Sequence, residues 1–186
     1  MKHALLLAAG WFAFLGAQNM APVSAPTPPS EHPPRLAAVD VAFVVAATQG
    51  NNAEVDAAKL ALRRTSTDGV AAYARQMLTD HSEIAKDADL AMRHRMTPTT
   101  ARLAAPDVLA LQYLAHVEPV DFDQNYAMLQ IGDHLAAQTA FATEARDGSD
   151  PQLRAFAQKW LPTIQAHLQL AITLVKHVGG DTPFKH

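Results

Sequence analysis

Three histidines and one glutamate stand out because each lies on an otherwise apolar helical stripe. In the stretch QMLTDHSEIAKDADLAM, His81 occupies the position between Met77 and Ile84 on the three- and four-residue spacing typical of a buried helix face. The same three- and four-residue spacing, followed along three further predicted helices, places one polar residue on each apolar stripe: Glu54, His134 and His167. Neutral imidazoles and a carboxylate are ligands for Zn, Cu, Fe or Mn, so the pattern predicts a site for a single transition metal ion.

These four residues are expected to converge. The four predicted long helices form two hairpins, each with a turn between its two helices. Every one of the four residues lies about 20 to 26 Å along its helix from that turn, which places all four near the middle of helices about 40 Å long. Asp80 and Asp133 directly precede two of the histidines. They are candidates for further metal ligands, or for acceptors that fix the tautomer of a ligating imidazole.

The same residues also fit two interpretations without a metal. In a buried polar network they would satisfy one another and fix the helix register. A small-molecule pocket is the third possibility. A di-iron oxidase site needs Glu-x-x-His on two helices. The chain argues against it, because the residues three positions before its histidines are Leu78, Ile131 and Ile164.

Five helices must position the candidate residues. Apolar periodicity and turn signals predict helices over about 37–64, 69–95, 106–117, 121–146 and 151–178. The first helix is expected to loosen at TQGNN, and Asp150 with Pro151 should start the last one. The predicted fold class is all-α, a four-helix bundle with a crossover that contains the short helix. Ten side chains are expected in its core: Phe43, Tyr73, Met77, Ile84, Ile131, Phe141, Phe156, Trp160, Ile164 and Leu168.

The ends of the chain are predicted to lie outside the bundle. Residues 1–17 have the charged start and short apolar run of a secretory signal peptide, with an uncleaved anchor as the alternative. Residues 18–36 form a proline-rich tether, 37–179 the bundle and 180–186 a C-terminal tail. The predicted location is therefore the periplasm or the exterior, with no transmembrane segment after cleavage of the signal.

Composition restricts the function. The chain has 186 residues, of which 49% are hydrophobic, and it has no cysteine and a formal charge of −3. Disulfides and thiolate chemistry are excluded, and the lack of a basic surface argues against nucleic-acid binding. Nothing resembles a catalytic nucleophile set or a phosphate-binding loop, so enzymatic activity would require the metal. The alternative class is an envelope binding or interaction module with a protein partner.

The motifs QMLTDH, FDQNYAMLQIGDH and FAQKWLPTIQAHL, with GNNAEVDAAKLA upstream, resemble a known family. It is the secreted bacterial family named domain of unknown function 4142, and the resemblance covers about residues 40–175. The resemblance implies export and a ferritin-like bundle, with family histidines matching His81, His134 and His167. It brings no established activity.

Overall fold

A computed structural model describes residues 36–92 and 102–179, which form five helices and contain no strand. The helices are α1 (Ala38–Arg64), α2 (Asp68–Met92), α3 (Ala105–His116), α4 (Pro119–Asp147) and α5 (Pro151–Val178). The prediction of an all-α fold is confirmed. The predicted signal peptide, nearly all of the tether, the end of the second helix and the C-terminal tail lie outside the described residues.

The four long helices close a ring. Helix α1 packs against α2 and α4, and α5 packs against α4 and α2, while the short α3 lies against α1 and α4. Two helical hairpins are therefore joined by one long connection that carries α3, as in bundles with a single crossover. Within the described ranges, none of the helices has the length and apolar character needed to cross a bilayer.

A side-chain cap starts the last helix, and the first helix continues through a stretch of weak helix formers. Asp150 Oδ1 accepts hydrogen bonds from the backbone N–H groups of Gln152 at 2.8 Å and Leu153 at 3.1 Å, which caps α5 as predicted. The expected loosening of the first helix at TQGNN is wrong, since α1 runs unbroken through Gly50. Tertiary contacts on both sides of this stretch outweigh its low helix propensity, which amounts to about 1 kcal/mol for a glycine.

Two arginines tie the crossover to α1. The Arg64 guanidinium donates hydrogen bonds to the backbone carbonyls of Leu114, Ala115 and Val117, which satisfies acceptors at the end of α3. At the other end, the Arg102 guanidinium makes a two-pronged contact with the Asp56 carboxylate. The short helix is thus fixed at both of its ends.

The buried interior consists of two apolar clusters with a polar layer between them. The first cluster includes Ala57, Tyr73, Met77, Phe122, Tyr126, Ala127, Ala171 and Leu174. The second comprises Phe43, Val44, Ile84, Phe141, Leu153, Phe156, Ala157 and Ile164. On every long helix the buried candidate residue falls between the two sets: Glu54, His81, His134 and His167. The core is therefore interrupted at one level by groups that can form hydrogen bonds or bind a cation.

Eight of the ten predicted core residues are buried, and Ile131 and Trp160 are only partly so. The indole N–H of Trp160 reaches outward to donate to Asp87 at 3.0 Å. Helix α4 is rotated relative to the predicted stripe, so that Gln130 is fully buried in place of Ile131. The rotation brings an amide, not a hydrocarbon, into the polar layer.

Candidate metal centre

His81, His134 and His167 converge from α2, α4 and α5. Their ring centroids are separated by 5.7, 5.5 and 5.3 Å, and each side chain is at most 3% exposed. One ring nitrogen from each histidine lies within 4.8 Å of those of the other two. The seam counting that predicted their convergence is confirmed for these three residues.

Each imidazole has one nitrogen next to a fixed acceptor. The three contacts are His81 Nδ1 to Asn51 Oδ1 at 2.9 Å, His134 Nδ1 to the Gln130 carbonyl at 2.9 Å, and His167 Nε2 to Asp80 Oδ2 at 2.8 Å. Because all three partners accept hydrogen bonds, the facing nitrogen must carry the proton. The second nitrogen of each ring is then unprotonated and has a lone pair.

Those second nitrogens are His81 Nε2, His134 Nε2 and His167 Nδ1. All three are buried and have no hydrogen-bond partner among the described residues. Two unprotonated nitrogens cannot bond to each other, so the rings do not satisfy one another. A buried acceptor without a donor is destabilising by about 1–3 kcal/mol. The arrangement of one held N–H and one free lone pair is that of histidines that ligate a metal.

The environment keeps the three rings neutral. Burial lowers the pKa of His134 to about 4, with the hydrogen bond to the Gln130 carbonyl as a smaller opposing effect. Burial and the two neighbouring histidines lower the pKa of His81 well below its usual value. Burial also lowers the pKa of His167, although Asp80 opposes this effect. Neutral imidazole is the form that binds metal ions, so protons do not compete strongly for the site near neutral pH.

The predicted carboxylates lie outside the group of three nitrogens. Asp80 acts behind His167 as the acceptor that fixes its tautomer. Glu54 is 4% exposed, and its Oε1 lies 3.6 Å from Nδ1 of His134. This is the nitrogen that contacts the Gln130 carbonyl, whereas the free nitrogen of the ring is Nε2. Asp133 is half-buried on the wall of a cavity beside the histidines. The structure therefore assembles three of the six predicted residues into a set of nitrogen donors, and a ligand role for the carboxylates stays a prediction.

Burial raises the pKa values of two carboxyl groups in or beside the polar layer. Burial raises the pKa of Glu54 to about 8, with the side chain of Gln130 opposing. Burial and then the charge of Glu54 raise the pKa of Asp133 to about 7. The layer thus combines neutral imidazoles with carboxyl groups that resist ionisation in the absence of a positive partner.

The donor set fits a transition metal ion in chemistry and closely in geometry. Imidazole nitrogens bind Zn²⁺ at about 2.0–2.1 Å, which places tetrahedral ligands about 3.4 Å apart. Nitrogens within 4.8 Å of one another must approach by at most about 1.4 Å to reach that spacing. Three protein ligands leave at least one coordination position open.

Sequence reasoning missed several polar residues of this layer. Asn51 fixes the tautomer of His81, and it lies three residues before Glu54 on the same face of α1. Gln130, whose carbonyl fixes His134, lies four residues before it on α4. Tyr73 is predicted for the core as a ring alone and Tyr126 is not predicted there, yet both hydroxyls are buried and neither oxygen has a partner among the described residues. Counting polar residues at three- and four-residue spacing around Glu54 and His134 would have found the first two.

Comparison with known proteins adds a family. A search of curated proteins and a search of solved structures each found no match. The sequence profile of the family described as Domain of unknown function (DUF4142) matches residues 25–174, which include all five helices except the last four residues of α5. This range contains every residue of the polar layer. The chain therefore belongs to the domain of unknown function 4142 family.

Proposed function

We propose that this protein is exported and binds one divalent transition metal ion through His81, His134 and His167. The observation that carries the proposal is a group of three buried histidines that bring one ring nitrogen each within 4.8 Å of the others, while one nitrogen of every ring lacks a hydrogen-bond partner among the described residues. A metal-free polar network would supply a donor to each of these nitrogens. A cation is the simplest group that satisfies three converging lone pairs at once.

The donors also indicate which ions bind best. Three imidazoles suit Zn²⁺ and Cu²⁺, and divalent affinity at such sites rises from Mn²⁺ to Cu²⁺. Helices of both hairpins would share the ion, because His81 belongs to the first hairpin and the other two histidines to the second. We therefore assign the ion a role in stabilising the bundle, with an open position through which it can take up a further ligand.

The test compares His134→Ala with His116→Ala. In both histidines Nδ1 contacts the backbone carbonyl of the residue four positions earlier. His116, however, is exposed and lies at the end of the short helix α3. Protein purified without chelator from its native compartment is measured by elemental analysis. We expect one ion per chain in the wild type and His116→Ala, and none in His134→Ala.

Thermal melting gives a second readout. Chelator should lower the melting midpoint of the wild type by about 10 °C, as expected for an ion present at roughly 1,000 times its Kd. It should leave His134→Ala unchanged. A wild-type protein without metal, whose midpoint does not respond to chelator, would refute the site and favour the polar network.

Export is tested separately. The apolar run near the N-terminus and the small residues after it support cleavage after Ala17. N-terminal sequencing of the protein from the cell envelope should begin between residues 18 and 26. Recovery of Met1 would show that the segment is retained as an anchor.

A further inference from the structure

A cavity of about 250 Å³ lies beside the polar layer, between α1, α2, α4 and the start of α3. His81 and His134 form part of its wall. Most of the remaining wall is small and apolar, and we call it the alanine cavity after six of its residues: Ala46, Ala47, Ala53, Ala136, Ala137 and Ala140. A cavity of about 150 Å³ lined by apolar side chains is large enough to hold benzene. The alanine cavity therefore has room for a molecule of about ten non-hydrogen atoms.

Every charged residue in the described part of its wall is acidic. Glu54, Asp107 and Asp133 line the cavity from α1, α3 and α4, and no lysine or arginine of residues 36–92 and 102–179 lines it. The wall thus favours a positively charged group over a negative one.

Glu54 is the polar anchor of this wall. Its side chain is only 4% exposed. The Gln130 side chain lies near enough to oppose the rise in the pKa of Glu54, but neither carboxyl oxygen has a donor in good hydrogen-bonding geometry among the described residues. A buried carboxyl group in this state needs donors, and the cavity that it lines is the space from which they can come.

We propose that the alanine cavity binds a small organic cation, namely a primary amine with a short alkyl or single-ring body. The ammonium group donates hydrogen bonds to Glu54, and the hydrocarbon body packs against the alanines. An apolar pocket with a few converging polar groups is the usual form of a small-molecule site. This inference goes beyond the proposed metal site and does not require the ion.

The test uses three probes of the same shape and different charge: benzylamine, benzyl alcohol and benzoate. Calorimetric titration at about pH 8.5 leaves most of the amine protonated and lies above the pKa of about 8 for Glu54, so that most of this carboxyl group is ionised. We expect benzylamine to bind one to one, benzyl alcohol at least about tenfold more weakly, and benzoate not at all. Equal binding of benzoate and benzylamine, or no binding of any probe, would overturn the proposal.

Two variants and a control locate the binding. Ala137→Phe fills the cavity and should abolish binding of benzylamine, with Ala136→Leu as the substitute if the first variant does not fold. Glu54→Gln should weaken benzylamine about tenfold, to the level of the alcohol, whereas the exposed Glu118→Gln should change nothing. Unchanged benzylamine binding in a folded, filled variant would place the amine elsewhere and contradict the proposal.

Every titration is repeated on chelator-treated and metal-loaded protein, with the ion content measured. Amine binding to protein that takes up no metal would refute the metal site and leave this inference standing. Metal binding without amine binding would refute this inference and leave the metal site standing. Amine binding that appears only after metal loading would also overturn the inference, because the amine would then be a ligand of the ion.

Discussion

Glu144 offers a sharp test of the electrostatics at the far end of the bundle. Its side chain is fully buried on α4, beside the carboxyl group of Asp40 from α1. Asp40 accepts hydrogen bonds from the backbone N–H groups of Ala37, Ser149 and Asp150 at 3.1, 2.7 and 3.2 Å. Burial opposes the ionisation of Asp40, yet these bonds outweigh it and lower the pKa. A stable carboxylate therefore faces Glu144.

Burial and the charge of Asp40 raise the pKa of Glu144 from 4.5 to about 7, with Asp150 adding to this effect and Arg154 opposing it. The folded state binds this proton more tightly than the unfolded state, so the stability that it contributes is complete below about pH 4.5. It is lost as the pH rises through about 7. The full difference corresponds to about 3 kcal/mol in the free energy of unfolding.

Glu144→Gln keeps the size and polarity of the side chain beside Asp40 and removes the titration. The variant should match the wild type at pH 5 and be more stable by about 2–3 kcal/mol at pH 8. Urea unfolding followed by circular dichroism across this range measures the difference. Glu83→Gln is the control for the substitution itself, because Glu83 is exposed on α2. An offset between variant and wild type that is the same at both pH values would refute the reasoning.

Three further changes probe other parts of the structure. Asp80→Asn removes the carboxylate behind His167 and should weaken metal affinity by about 10- to 100-fold in a competition titration, with the stoichiometry retained. No loss of affinity would mean that Asp80 does not orient the ligand. Gly148→Ala places a Cβ 2.6 Å from the backbone oxygen of Glu144 and should lower the unfolding free energy by about 1–3 kcal/mol, whereas the open position Gly69 should tolerate alanine. Met77→Ala empties part of the first cluster and should cost about 2–5 kcal/mol in denaturant unfolding, and a cost below about 1 kcal/mol would show that the neighbouring side chains collapse into the space.

The helices and the histidine convergence were predictable because both depend on periodicity along single segments. Asp150 and Pro151 mark the start of α5, and Gly148 directly follows the end of α4. Once the stripes were counted, helix length alone placed His81, His134 and His167 at a common level. When four amphipathic helices pack with their apolar stripes inward, the three histidines at this common level come together.

What could not be predicted depends on rotation between helices. Successive side chains point about 100° apart around a helix axis. A rotation of α4 by less than that angle therefore exchanges Ile131 for Gln130 in the core. The acceptor for each histidine follows from such rotations, which is why Asn51 on a different helix was missed. Residue spacing could not predict the alanine cavity either. Small residues give the same apolar stripe in the sequence whether neighbouring side chains fill the space beside them or leave it open.

The division of the polar layer between two hairpins has a consequence for the order of folding. The turns at residues 65–67 and 148–150 connect α1 to α2 and α4 to α5, so each hairpin forms mainly from local contacts, which are made early. His81 meets the other two histidines only after the hairpins dock, which makes an ion between them a late event on the pathway. Interactions that are absent from the transition state change the rate of unfolding and leave the rate of folding nearly unchanged. We expect a bound ion to set how long the folded chain persists, and the helices alone to set how fast it forms.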